Sequence, residues 1–99
     1  MLVTIEVLAW LRPKLGYAES AKVALSREVP PGETVGSLFA HLAAEVPGFG
    51  EHVYSAAEDR VYEHVTVLLD GRAVELVGGT GAPLADGSQL TLLPAFAGG

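Results

Sequence analysis

Apolar and polar positions alternate at the start of the chain. Val3, Ile5 and Val7 share one face and Thr4 and Glu6 the other, which predicts a strand over residues 2–10. Pro13 and Gly16 break it with a loop. Residues 22–29 alternate again, with Val23, Leu25 and Val29 on one face and Arg27 interrupting it. Pro30-Pro31-Gly32 closes this second strand, so the pair reads as a hairpin with a long loop. The period then changes. Thr34 is an N-cap candidate, because its hydroxyl can accept from an orphan N–H of the next turn. Val35, Leu38, Phe39, Leu42 and Val46 follow at helical spacing as one apolar stripe, and Pro47-Gly48 ends it.

Residues 49–63 carry Glu51, His52, Glu58, Asp59, Arg60 and Glu63 without a clear period, and read as a polar surface excursion with one short helical turn. Val65–Leu69 is the next predicted strand, and Asp70-Gly71 a tight turn into a strand over Arg72–Val77. Gly78-Gly79-Thr80-Gly81 is expected to be a flexible connector. Asp86-Gly87 marks a second turn, and Gln89–Leu93 the last strand, with Leu90 and Leu92 facing one way.

This order predicts a two-layer α+β domain: a mixed four- to five-stranded sheet packed on one main helix. It fits a β-grasp, with the first and last strands side by side as a parallel central pair. Pro94 cannot donate to a ladder, so pairing should stop there. Residues 1–94 are then the domain, and 95–99 a free, flexible Gly-Gly tail.

Composition narrows the function more than the fold. A chain of 99 residues with 49% hydrophobic and 18% charged side chains suits one compact domain. Twelve acidic against six basic residues give a net charge of −6, which disfavours nucleic acid and suits a partner with a basic docking surface. The absence of cysteine excludes disulfides, thiolate catalysis and Cys-based zinc sites. The apolar opening lacks the basic start and small-residue cleavage site of a secretory signal, and no run reaches transmembrane length, so a cytoplasmic setting is expected.

Internal chemistry is sparse. His41, His52 and His64 lack any close ligand spacing, so no metal site is expected. Glu58, Asp59 and Glu63 could serve acid–base catalysis only in a cleft, and read instead as a solvated face. The glycines at 78–81 lack both the Lys-Ser/Thr of a phosphate loop and the helix of a dinucleotide fingerprint. No serine stands in a nucleophile-elbow motif. That leaves the ending, LLPAFAGG. Gly98 and Gly99 present no side chain to a narrow channel and adopt any φ/ψ it imposes. Phe96, between Ala95 and Ala97, could anchor in an apolar pocket of a partner. A terminal carboxylate is a poor electrophile, but its acyl-adenylate accepts a nucleophile readily.

The opening strand, PPGETVGSLFAHLAAEVPG, VLLDGRAV, APLADGSQLTLLPA and the final AGG together resemble the ThiS/MoaD family of ubiquitin-like sulfur carrier proteins. WLRP, the loop near Gly16, the Gly-Gly after the fourth strand and LLPAFAGG resemble its cysteine-pathway carriers. The resemblance implies that the chain is a carrier rather than an enzyme. An E1-like adenylyltransferase/sulfurtransferase, using ATP and Mg, would adenylate the Gly99 carboxylate. Sulfur would then displace AMP and leave a Gly99 thiocarboxylate. It further implies a sulfur-accepting partner, either a cysteine-synthase-like enzyme followed by a metalloprotease that releases cysteine, or a molybdopterin synthase large subunit. Three alternatives remain open: a MoaD-type small subunit of molybdopterin synthase, a ubiquitin-like protein modifier, and a binding module with an idle tail.

Overall fold

The alternating and helical patterns fold as one sheet and one covering helix in a computed structural model, which describes residues 1–7, 23–46 and 48–94. In chain order the elements are β1 (Leu2–Val7), β2 (Val23–Glu28), α1 (Val35–Glu45), α2 (Phe49–His52), β3 (Tyr54–Ser55), β4 (Arg60–Val61), β5 (Val65–Leu69), β6 (Arg72–Ala73) and β7 (Gln89–Pro94). Two 3-10 turns lie at Val74–Leu76 and Gly79–Gly81. The extension of the first strand over residues 8–10 and the loop with Pro13 and Gly16 fall outside the described residues.

Five strands form the main sheet in the order β2-β1-β7-β5-β6. β1 runs antiparallel to β2, from Leu2↔Glu28 to Val7↔Val23, and parallel to β7, from Thr4↔Gln89 to Val7↔Leu92. The expected parallel central pair is therefore present, and the architecture is a β-grasp. Period-2 alternation sends Val3, Ile5, Val7, Leu90 and Leu92 to the face that α1 covers, all at most 1% exposed. Val35, Leu38, Phe39 and Leu42 of α1 close the core from the other side. Each such side chain contributes about 1.5–3 kcal/mol by leaving water.

α1 starts where the sequence places it. Thr34 Oγ1 accepts from the Ser37 N–H at 3.2 Å, and Ser37 Oγ accepts from the Thr34 N–H at 2.9 Å, a reciprocal capping box. The Val46 N–H closes the last turn on the Leu42 carbonyl at 2.8 Å, and Gly48, with φ at +85°, redirects the chain into α2.

Three expectations are corrected. Residues 49–63 contain the expected short helical turn, α2, and an exposed stretch at 56–60, but they are not all surface: α2 and the β3–β4 hairpin bring Phe49, Val53 and Tyr54 into the core at 1%, 0% and 2% exposure. The strand expected over Arg72–Val77 ends at Ala73, because the chain turns to bury Val74 and leaves Leu76 80% exposed. The glycines at 78–81 are a 3-10 turn packed on α1 rather than a free connector; Ala82, which follows, is buried and its carbonyl accepts from the Val35 N–H at 3.0 Å.

Candidate functional site

The chain's last described element is also the centre of its sheet. β7 lies between β1 and β5, and Leu90 and Leu92 are wholly buried beneath α1. Its start is pinned by the turn before it. Gly87 takes φ +87° and its N–H donates to the Leu2 carbonyl at 2.8 Å. The Leu2 N–H donates to Asp86 Oδ1 at 2.8 Å, and the Thr4 N–H to the Ser88 carbonyl at 3.0 Å. On the other flank, the Gln89 N–H donates to Asp70 Oδ1 at 2.9 Å while the Asp70 N–H donates to the Gln89 carbonyl at 2.8 Å. Asp70 has φ +51° and Gly71 φ +85°, the pairing that Asp-Gly hairpin turns need.

The far end of β7 is the root of the carboxyl-terminal segment. Its last registered pair is Val65↔Pro94. Pro94 has no N–H to give a further strand. Beside this root stands the 49–64 segment. The Val65 N–H donates to the Tyr62 carbonyl at 3.1 Å, the Tyr62 hydroxyl donates to the Gly50 carbonyl at 2.8 Å, and the Tyr62 N–H to the Val53 carbonyl at 2.9 Å. The His64 ring stacks on Tyr62 with centroids 5.9 Å apart and planes 8° from parallel, and its Nε2 lies 2.8 Å from the His52 carbonyl oxygen. The stacked rings and these backbone bonds order a segment that reads in sequence as a polar surface excursion.

Of the residues singled out in sequence, Pro94 has its backbone at this root. Ala95, Phe96, Ala97, Gly98 and Gly99 lie outside the described residues. Among the described residues no group of three or more His, Asp or Glu side chains is placed to hold a metal. His41 sits elsewhere, on α1, with Nδ1 3.4 Å from Glu33 Oε2. Glu58, Asp59 and Glu63 are all exposed, as a solvated face requires, and the Asp59 carboxylate in addition accepts from the Tyr54 hydroxyl and, at 3.2 Å, from Thr80 Oγ1. Glu33 was not singled out. The signal for it is spacing: Glu33, Ser37, His41 and Glu45 recur every four residues.

The model of the ThiS family matches residues 5–99, from within β1 to the final glycine. The chain belongs to the ThiS family. The sulfur carrier protein CysO of Mycobacterium tuberculosis (strain ATCC 25618 / H37Rv) is 29% identical over 100 residues, with 100% of both chains covered. A chain of the crystal structure of the Amycolatopsis orientalis BexX/CysO complex is 28% identical, with 98% of this chain and 99% of that chain covered and a TM-score of 0.71. SAMP1 from Haloferax volcanii, 24% identical with full coverage of both chains and a TM-score of 0.74, shares the fold. In this ThiS-family chain the central strand of the sheet thus leads directly into the Ala-Phe-Ala-Gly-Gly ending. Among the described residues no helix is long and apolar enough to cross a membrane.

Proposed function

We propose that this ThiS-family protein is a sulfur carrier that acts through the carboxylate of Gly99, delivering sulfur to a biosynthetic enzyme in the cytoplasm. The observation that carries the reading is the end-to-end similarity to a sulfur carrier protein, at 29% identity over the whole length of both chains. The fold supports it by placing β7 at the centre of the sheet, paired with β1 as far as Leu92 and with β5 as far as Pro94.

The chemistry divides between carrier and partners. An E1-like adenylyltransferase holds ATP and Mg; the Gly99 carboxylate oxygen attacks the α-phosphorus, forming an acyl-adenylate and releasing pyrophosphate. A sulfide-level sulfur nucleophile, supplied by the sulfurtransferase activity, then attacks the acyl carbon. The C–O bond to AMP breaks and leaves a thiocarboxylate. The oxidation state of the glycyl carbon is unchanged throughout. This chain supplies delivery: Gly98 and Gly99 pass a narrow channel, Ala95 and Ala97 keep it slim, and Phe96 anchors the peptide in the partner. The acceptor fitting the CysO similarity is a cysteine-synthase-like enzyme, with a metalloprotease releasing product; carriers of this kind lend the group while enzymes do the chemistry.

The test is intact-protein mass spectrometry after incubation with the E1-like partner, ATP, Mg and sulfide. A gain equal to one oxygen exchanged for sulfur, localised to Gly99 and lost on deleting Gly99, is the expected result. Absence of that gain, together with diGly remnants on cellular lysines, overturns the carrier reading in favour of a protein modifier. A stable complex with a molybdopterin synthase large subunit redirects the sulfur from cysteine to molybdopterin.

A further inference from the structure

The four-residue stripe of Glu33, Ser37, His41 and Glu45 begins just before α1 and runs along the helix towards the outer strand β2. A groove of about 180 Å³ lies there, with Val29 and Leu38 as its apolar floor and Arg27, Glu28, Glu33, His41 and Glu45 supplying its charged and titratable groups. Two of its three carboxylates have a cation. Glu45 Oε2 lies 3.6 Å from Arg27 Nε, and Glu28 Oε2 lies 3.5 Å from the Met1 amino group.

Glu33 is different. It is the buried member, at 7% exposure, and the Ser37 hydroxyl donates to its Oε1. Its Oε2 is fully shielded and has no hydrogen-bond donor among the described residues. The nearby His41 Nδ1 lies 3.4 Å away without making a hydrogen bond to it. A buried carboxylate oxygen left without a donor is costly, because it has given up water and gained no partner. His41 is 68% exposed, so its ring has solvent to move into.

We propose that this groove receives an arginine side chain of a partner protein, whose guanidinium displaces His41 and pairs with Glu33 Oε2. Arginine fits better than lysine. Its planar fork can satisfy Oε2 and a rim carboxylate together, and it sheds water more readily than an ammonium. The groove already holds one guanidinium at its rim, where Arg27 Nε lies 3.6 Å from Glu45 Oε2. The net charge of −6 draws a basic partner towards it. β1 separates β2 from β7, so a partner can grip this groove while the carboxyl-terminal segment is engaged elsewhere.

The probe is the acetylated, amidated tripeptide Gly-Arg-Gly, titrated into the full chain labelled with 15N and followed by NMR. The expected result is saturable shifts confined to residues 27–29, 33, 37, 38, 41 and 45, with weaker binding of Gly-Lys-Gly. Glu33→Gln should weaken binding about tenfold, in the range that loss of one close charge pair gives. His41→Arg places a guanidinium over Glu33 from within the chain and should abolish binding; this exposed position tolerates the change even if Glu33→Gln perturbs the fold. Shifts spread equally over Glu51, Glu58, Glu63 and Glu75 overturn the proposal, as does undiminished binding to His41→Arg or no binding at all. None of these outcomes depends on sulfur transfer at Gly99.

Discussion

Asp59 concentrates much of what single residues decide here. Its backbone takes φ +51°, and its carboxylate accepts from Tyr54 and Thr80 while lying against Gly36 near the start of α1. A Cβ at Gly36 would stand 2.9 Å from Asp59 Oδ1 and 3.0 Å from the Thr80 carbonyl oxygen. Alanine improves helix propensity by up to about 1 kcal/mol, but overpacking against backbone costs about 1–3 kcal/mol. Gly36→Ala is therefore expected to lower stability by about 1–2 kcal/mol in urea unfolding; a stabilised variant would contradict the contact. Burial, then the hydrogen bond and negative charge of Asp59, push the Tyr54 phenol up to about 12. An unfolded tyrosine loses its proton near 10, so the folded state holds a proton that the unfolded state releases between those values. Stability from this source is complete below about pH 10 and falls as pH rises towards 12, by about 2 kcal/mol. Denaturation followed over that range should show the fall, and Tyr54→Phe should flatten it. The sequence shows the acidic residues but not this clasp, since Thr80 lies 21 residues from Asp59 and the left-handed backbone leaves no mark in the pattern.

Among the elements, those with a strong period were legible and those built by tertiary contact were not. The Thr34 cap and the stripe from Val35 to Val46 announce α1, and the alternation of β1, β5 and β7 announces the sheet. Phe49, Val53 and Tyr54 are spaced for neither a strand nor a long helix, and the charges around them hide their burial. Their place is set by Phe39, whose ring meets Phe49 edge to face at 5.3 Å and Tyr54 at 5.8 Å. The 49–64 segment is therefore clamped to α1 at one end and flanks the root of the carboxyl-terminal segment at the other. Phe49→Ala is expected to cost about 3–5 kcal/mol, the toll of emptying a core aromatic site. A change within about 0.5 kcal/mol in urea unfolding, as at a surface loop, would contradict this packing. Thr34→Ala should cost about 1 kcal/mol in the same assay, because it orphans the Ser37 N–H.

At the scale of the whole molecule, the first and last strands close the fold on each other. Thr4 registers with Gln89 and Val7 with Leu92, so the sheet is complete only when the chain's two ends have met. The parallel pair was legible because the order of elements leaves the last strand one central place; the groove at Glu33 was not, because it needs β2 and α1 in contact. The same closure predicts a sharp boundary. Core burial continues to Leu92 and registered pairing to Pro94, and the glycines beyond have the most backbone entropy to lose on ordering. A chain ending at Pro94 is expected to melt at the full-length temperature, within the shift that about 0.5 kcal/mol produces, and to accept no sulfur. A chain ending at Gln89 loses Leu90 and Leu92, each worth about 1.5–3 kcal/mol by burial alone. It also loses the strand that β1 and β5 share, against a total stability of about 5–15 kcal/mol. That shorter chain should give the circular dichroism of an unfolded protein. If instead the chain ending at Pro94 melts markedly lower, residues 95–99 hold the fold together, and an ending so engaged could not also be the part that enters a partner.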